Sequence, residues 1–331
     1  MTSAKHPTLA ARIERFPIAG SFTISRGVKT EAVTVVAEVS QDGLTGRGEC
    51  VPYPRYGETA EAALTALKGL EEAVAGGLDR AALQAALPAG AARNALDCAL
   101  IDLEAKRRGE RAWTLLGCAQ PRPCTTAHTI SLDTPEAMAT ATASLAHRPL
   151  LKIKLGGEGD QERIVAVRRA APKAELIVDA NESWSASNLA RNLKACSEAG
   201  VILVEQPLPA AEDGLLATIC RPIAVCADES AHDRSSLEAL RGRYDAVNIK
   251  LDKTGGLTEA LAMVEAARAL GFEIMVGCMV ATSLAMALAM LLTPRARFVD
   301  LDGPLLLARD RDHGLRYDDS LIYPPEAALW G

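Results

Sequence analysis

The residues best suited to chemistry in this 331-residue chain recur at a regular step. Between residues 150 and 300, short apolar runs end at Lys154, Asp179, Glu205, Asp228, Lys250, Gly277 and Asp300, in steps of 25, 26, 23, 22, 27 and 23 residues. Lys152 and Lys154, and likewise Asp300 and Asp302, are two residues apart, so each pair shares a face if its run is a strand. Three carboxylates brought to one spot cannot all stay ionised without a counter-charge. An all-oxygen set, Asp179, Glu205 and Asp228, suits a hard divalent cation, Mg²⁺ or Mn²⁺. A lysine serves as a base when burial or like charge lowers its pKa, and Lys152 beside Lys154 supplies a like charge. A base on each face of a carbon, with a metal on an adjacent carboxylate, suits removal of an α-proton and its return to the opposite face, which inverts the carbon. The competing reading is a structural ion network in which each carboxylate pairs with a neighbouring lysine.

These residues need elements to hold them. The step fits one strand plus one helix, and Gln161–Ala171 and Leu257–Leu270 read as such helices. With Cys124–Leu132 as the first strand, eight units predict a (β/α) barrel of TIM type, with functional groups at the C-terminal strand ends. On an eight-strand circle, strand 2 (Leu150–Leu155) faces strand 6, so Lys154 opposes Lys250, and strands 3 to 5 fill the arc between with the three carboxylates. Strand 8, with Asp300 and Asp302, lies opposite strand 4. The rival fold is a doubly wound nucleotide-binding sheet, but Gly157-Glu158-Gly159 has Glu162 where the third glycine belongs, and reads as a plain strand–helix loop. Residues 1–120 have another texture. Strands Arg12–Ile18, Phe22–Ile24 and Ala32–Val39 precede a turn at Asp42-Gly43 and a strand Leu44–Val51. Helices follow near Glu58–Val74, Asp79–Leu87 and Ala91–Arg108, the last stopped by Gly109. This is an α+β pattern.

Composition narrows the function further. A net charge of −6 without a basic cluster, and 4% aromatic residues, argue against nucleic-acid partners. None of the eight cysteines forms a C-x-x-C pair, and the start Met-Thr-Ser-Ala-Lys-His-Pro has no apolar signal core, which together predict a reducing cytoplasm. Ile274–Thr293 is uncharged for 20 residues. It reads as a strand (Glu273–Gly277), a loop (Cys278–Thr282) and a buried helix (Ser283–Leu292) rather than a membrane span.

Lys152-Ile153-Lys154, Asp179-Ala180-Asn181, Glu205-Gln206-Pro207, Asp228-Glu229-Ser230 and Lys250 together resemble the enolase superfamily, in its muconate-lactonizing-type subgroup. Gly48–Glu58, Leu87–Asn94, Val247–Gly256, Gly277-Cys278-Met279 and Asp300–Pro304 extend the likeness over most of the chain, and are similar to the dipeptide epimerases acting on L-Ala-D/L-Glu. The resemblance implies a (β/α)7β barrel over residues 121–304 and a capping domain of residues 1–120 joined by the tail 305–331. It implies Mg²⁺ on Asp179, Glu205 and Asp228, and Lys154 and Lys250 as the acid/base pair. It implies Lys152, Thr129 and Cys278 as substrate-holding residues, Asp300 and Asp302 for a dipeptide's α-ammonium, and Arg26 for a glutamate side-chain carboxylate. His128 stands where that pattern has Gln, a change that either alters the pocket wall or has no effect. The implied setting is murein peptide recycling, with a small-molecule dipeptide as partner, no membrane, and a homo-oligomer left open.

Two other readings compete. An N-acylamino acid racemase, a cycloisomerase or an o-succinylbenzoate-forming dehydratase would share the subgroup pattern. Their substrates lack a free ammonium, which would leave Asp300 and Asp302 facing nothing cationic. A non-catalytic binding protein on the same scaffold gives no reason for two opposed lysines and three metal carboxylates.

Overall fold

The computed structural model describes residues 6–331; the stretch 1–5, within the segment Met-Thr-Ser-Ala-Lys-His-Pro read above, lies outside the described residues. Three strands, β1 (Thr8–Ile24), β2 (Gly27–Gln41) and β3 (Leu44–Cys50), form an antiparallel sheet in that order. The two segments expected before Ile24 are one strand. Pro17 cannot donate to a ladder and Gly20 takes φ +85°, so the register slips between Pro17 and Phe22 without ending the pairing. At the β2–β3 turn, Asp42 and Gly43 both take positive φ, as a two-residue hairpin requires.

Helices α1 (Ala60–Lys68), α2 (Glu71–Ala75), α3 (Arg80–Ala86) and α4 (Ala91–Arg108) follow. The single helix expected over Glu58–Val74 is broken at Gly69-Leu70. Thr59 and Asp79 cap α1 and α3 through their side chains, and Gly109, at φ +65°, ends α4.

The second body of the chain is an eight-stranded parallel sheet curled on itself. After a short strand β4 (Cys124–Thr125), its members are β5 (His128–Ile130), β6 (Leu150–Lys154), β7 (Glu175–Asp179), β8 (Val201–Glu205), β9 (Ala224–Ala227), β10 (Ala246–Ile249), β11 (Glu273–Val276) and β12 (Phe298–Val299), adjacent in chain order. Ala127 N–H donates to Val299 O at 2.8 Å, linking the two edges. The first strand expected over Cys124–Leu132 is two strands. β4 pairs with β14 (Leu321–Ile322) of the tail, which pairs with β13 (Tyr317–Asp318), and only β5 joins the curled sheet. The chain changes partner at Thr126, whose N–H goes to Ser320 O and whose hydroxyl accepts from Leu301 N. The eighth strand is also shorter than expected, so Asp300 and Asp302 lie just beyond it.

Strand alternation builds the interior in layers. Ala127, Leu150, Ile177, Leu203, Cys226, Ala246, Met275 and Phe298 pack as one inner apolar cluster. Two residues further along each strand come Thr129, Lys152, Asp179, Glu205, Asp228, Asn248, Gly277 and Asp300, and the interior turns polar. The alternate residues, such as Leu151, Ile153, Val178, Val204 and Val247, face the surrounding helices in the main core.

The apolar stretch 274–293 resolves into β11, a loop and a helix Ser283–Ala289, which tightens into a 3₁₀ turn over Met290–Arg295. Among the described residues no helix is long and apolar enough to cross a membrane. The tail returns to the first body. Gly331 N donates to Asp102 Oδ1 at 2.9 Å, and Arg47 Nη2 donates to Ala328 O at 2.9 Å.

Candidate active site

The polar layer contains three fully buried carboxylates on adjacent strand ends, with ammonium groups set among them. Lys152 Nζ lies 2.6 Å from Glu205 Oε2, 2.7 Å from Asp300 Oδ2 and 3.2 Å from Asp179 Oδ2. Lys154 Nζ is 2.6 Å from Asp179 Oδ2, and Lys250 Nζ is 2.7 Å from Asp228 Oδ2. Lys253 grips the other oxygen of Asp228 at 2.6 Å. Asn248, two residues before Lys250, donates to Glu205 Oε1 at 2.8 Å, and Gly277 leaves room for it, since a Cβ there would collide with the Asn248 amide. Gln206 Oε1 accepts from the backbone of Asp228 and Ser230, which fixes the end of β9. Asn181 and Gln206 take positive φ just past Asp179 and Glu205, a strained backbone of the kind that gathers at functional sites.

The electrostatics differ from the sequence expectation at the lysines. Burial lowers the pKa of Lys152 and Lys250, but Asp300, Glu205 and Asp179 around the first, and Asp228 and Glu205 beside the second, raise both well above the ordinary value. The expected lowering of Lys152 by its neighbour Lys154 is outweighed, because the carboxylates stand closer. Asp179 and Asp228 are driven below the carboxylate range: burial opposes ionisation, and Lys154 and Lys152, or Lys250 and Lys253, overcome it. Glu205 is pushed up to about 7 by burial and by Asp179 and Asp228, with Lys152 pulling the other way.

Among the described residues no three His, Cys, Asp or Glu side chains close around a single point; each carboxylate here is turned toward an ammonium. The donor set nevertheless fits a hard divalent cation. It is all oxygen, fully buried and on three successive strand ends.

Above this layer lie two adjoining pockets that share Phe22, Lys154, Cys278, Met279 and Val280. One also takes in Lys250, Asp228, Asn181, Glu229, Tyr53, Tyr56, Arg26 and Lys29; the other ends at Thr129, Asp300 and Asp302. Lys154 and Lys250 therefore line one cavity. Lys152 is outside both linings, sealed beneath them among the carboxylates. Thr129 donates its backbone N–H to Asp302 Oδ2 at 2.7 Å. Burial and the charges of Asp300 and Asp302 push the Cys278 thiol up, so it lines the wall as a neutral thiol. Arg26, in the turn between β1 and β2, reaches Glu229 Oε1 at 2.7 Å. His128 pairs with outward-facing Leu151 and lines neither pocket. Burial and Arg148 bring its imidazole down to about 4.

Glu229, Lys253, Asn248 and Lys29 were not singled out from sequence. Asn248 obeys the same two-residue rule as Lys152 and Lys154 and could have been found by it. Glu229 and Lys29 carry no such signal, because the fold brings them together from opposite bodies of the chain.

Comparison with known proteins covers most of the chain. Residues 8–117 match the mandelate racemase / muconate lactonizing enzyme N-terminal domain, and residues 136–328 match the enolase C-terminal domain-like family. The chain is 49% identical to the L-Ala-D/L-Glu epimerase of Escherichia coli (strain K12), over 92% of this chain and 95% of that one. It is 44% identical to the N-acetyl-D-glutamate racemase of a Pseudoalteromonas species, over 90% and 95%. A crystal structure from Agrobacterium tumefaciens, of an enolase family member with homology to dipeptide epimerases and with sodium and L-Ala-L-Glu bound, superposes with a TM-score of 0.97 at 55% identity, covering 98% of this chain and all of that one.

Proposed function

The chain belongs to the enolase superfamily and is an isomerase, and on that footing we propose that it interconverts L-Ala-L-Glu and L-Ala-D-Glu by proton transfer at the glutamate α-carbon. The observation that carries this reading is the shared cavity of Lys154 and Lys250, with Asp300 and Asp302 at the far end of the adjoining one. A dipeptide is bipolar, and the cavity is too. Asp300 Oδ1 is buried without a hydrogen-bond partner, an acceptor suited to an α-ammonium. Mg²⁺ or Mn²⁺ held by Asp179, Glu205 and Asp228 would supply positive charge to the α-carboxylate as the α-proton leaves.

The protein groups do the rest. One lysine, as the neutral amine, takes the α-proton from one face; the other, as the ammonium, delivers a proton to the opposite face. Lys250, held charged by Asp228, is set as the donor in the arrangement seen. Lys152 neutralises the carboxylate floor, and Phe22 and Tyr56 shield the carbon from water. The product suits recycling of murein peptides in the cytoplasm.

The test is incubation of the Mg²⁺-loaded protein with L-Ala-L-Glu and with N-acetyl-L-glutamate in D₂O, read by NMR. The expected result is deuterium at the dipeptide's glutamate α-carbon with inversion. In Lys154→Ala and Lys250→Ala, inversion should fall about 10²–10⁴-fold, while each variant still exchanges the α-proton of one epimer. Preference for the N-acetylated compound would assign the protein to acylamino-acid racemisation instead, the activity named for the Pseudoalteromonas relative.

A further inference from the structure

We infer that Asp252 is a positioning residue for Lys250: it hangs the turn that Lys250 opens from the first body of the chain, so that only one of the two proton-transfer lysines depends on that body for its place. This rests on the two-lysine reading above. The two lysines are held in different ways. Lys154 is the last residue of β6 and pairs with Asp179 on β7, so the strand ladder fixes its backbone. Lys250 lies one residue past β10, whose pairing with β11 ends at Ile249. Its backbone instead opens a single helical turn, Leu251–Thr254, and its C=O accepts from Lys253 N at 3.0 Å and Thr254 N at 3.1 Å. One isolated turn has little stability of its own, so its place is set by what it touches.

The barrel holds the turn through Lys253, whose Nζ meets Asp228 Oδ1 at 2.6 Å and Asn248 O at 2.9 Å. Alone, that contact is a pivot. Asp252, about 100° round the turn from Lys253, stops rotation about it. Asp252 is buried, and its Oδ1 accepts from Val51 N and from Asn94 Nδ2, each at 2.9 Å. Both donors belong to the first body. Val51 directly follows β3, and Asn94 sits in the first turn of α4. Asn94 is itself pinned, since its Nδ2 also meets Glu49 O at 3.3 Å. The same helix takes the far end of the turn. Arg93 Nη2 donates to Thr254 O at 2.7 Å and its Nε to Gly255 O at 3.1 Å, satisfying carbonyls that a helix end leaves open. A Cβ on Gly255 would collide with Arg93 Nε, so glycine is what admits this approach. Val51 also starts the segment that brings Tyr53 and Tyr56 to the cavity wall beside Lys250. One carboxylate oxygen therefore joins the root of that wall to the turn that carries the lysine.

The experiment follows early deuterium uptake at the glutamate α-carbon of L-Ala-L-Glu and of L-Ala-D-Glu separately, in D₂O with Mg²⁺. The proteins are the parent, Lys154→Ala, Asp252→Ala, Asp252→Asn and Asn94→Ala. The epimer that Lys154→Ala still exchanges is the one Lys250 serves. A misplacement of about 1 Å can cost 10²-fold, so Asp252→Ala should slow that epimer roughly 10- to 100-fold, in kcat more than in KM. The other epimer should stay near the parent rate. Asp252→Asn keeps the accepting oxygen and should restore most of the loss, and Asn94→Ala should skew the pair the same way by less. A lower folded fraction slows both epimers by one factor and leaves their ratio alone, so the ratio separates positioning from stability. If Asp252→Ala yields no folded protein, Asn94→Ala, which keeps the Val51 bond, decides the same ratio. A ratio at the parent value in the folded variants, or one skewed as far in Asp252→Asn as in Asp252→Ala, overturns the role of Asp252 and leaves the two-lysine reading standing. A parent that exchanges no dipeptide α-proton, or Lys154→Ala exchanging both epimers at the parent rate, overturns that reading and this inference with it.

Discussion

Asp302 carries a carboxyl pushed up to about 6 by burial and by the charge on Asp300, against the pull of the Thr129 N–H. Its partner is half spent: Asp300 Oδ2 serves Lys152 at 2.7 Å, and only Oδ1 is free. An ammonium bound between them gains most when both are ionised. Asp302 takes up a proton as pH falls through about 6, so kcat/KM for a free dipeptide should decline below that pH. Asp302→Asn should lose the acid limb, and a pH–rate profile of both proteins checks it; an identical limb in the variant would place the titrating group elsewhere. This aspartate, its partner and the lysine and carboxylate set were readable in the sequence for one reason. Strand alternation fixes the face of the lysines and of the carboxylates at the ends of β7 to β9, and the repeat fixes their end of the barrel; Asp300 and Asp302 lie past β12 yet still line one pocket together. What was not readable is what they touch. The sequence spacing suggested that Lys154 would soften Lys152, whereas three carboxylates from other strands decide its charge. Nor was the contact of Arg26 with Glu229 readable, because the two are some two hundred residues apart.

At the scale of elements, the closest packing is between α4 and β3. Gly46 and Gly48 share a face of β3, and Ala95, Ala99 and Leu103 form a stripe along α4 at helical spacing. A Cβ on Gly48 would press on Ala95 O and stand 2.9 Å from Ala99 N, and one on Gly46 would press on Ala99 O and Leu103 N. Those are backbone atoms, which cannot rotate aside. Gly48→Ala should therefore cost about 1–3 kcal/mol or more in a thermal or urea melt, while Gly214→Ala, with nothing within 4 Å, should change little. Equal stability of the two variants would mean that α4 does not sit this close. Most elements were visible as periodic runs with their stops, the Asp42-Gly43 hairpin and the Gly109 cap among them. The errors share one cause. Pro17 and Gly20 look like breakers, yet β1 lies at the edge of its sheet and tolerates them. Cys124–Leu132 looks continuous, yet Thr126 hands the chain from the tail hairpin to the curled sheet. Neither partner can be known before the tertiary fold is.

At the scale of the molecule, the cavity has walls from two bodies: Phe22, Arg26, Lys29, Tyr53 and Tyr56 from the first, Lys154, Lys250 and Met279 from the second. Its shape depends on whatever holds those bodies in register. Arg311, in the tail, joins three of their parts. Its Nε meets Glu49 Oε2 on β3 at 2.9 Å and Thr282 Oγ1 in the loop after β11 at 2.7 Å, and its Nη2 reaches Glu14 on β1. Glu49 is fully buried; burial raises its pKa, and Arg311 and Thr282 oppose the rise. Arg311→Met would leave that carboxylate with hydrogen bonds from Thr282 but no counter-charge. Removing one member of a buried pair typically costs about 3–5 kcal/mol, most of it the stranded charge. The sign with pH then follows. Without Arg311 the Glu49 pKa rises further above its unfolded value, so the native state holds an extra proton. The variant should be relatively more stable near pH 5 and lose stability as pH rises through the new folded pKa. Glu49→Gln added to Arg311→Met removes the charge and should recover a large part of the loss, with little slope remaining between pH 5 and 8. Urea unfolding of the four proteins of this cycle at both pH values measures all three claims. A double variant as unstable as Arg311→Met would show that the arginine acts through its contacts with Glu14 and the Phe16 ring, 5.1 Å away, rather than through the charge of Glu49.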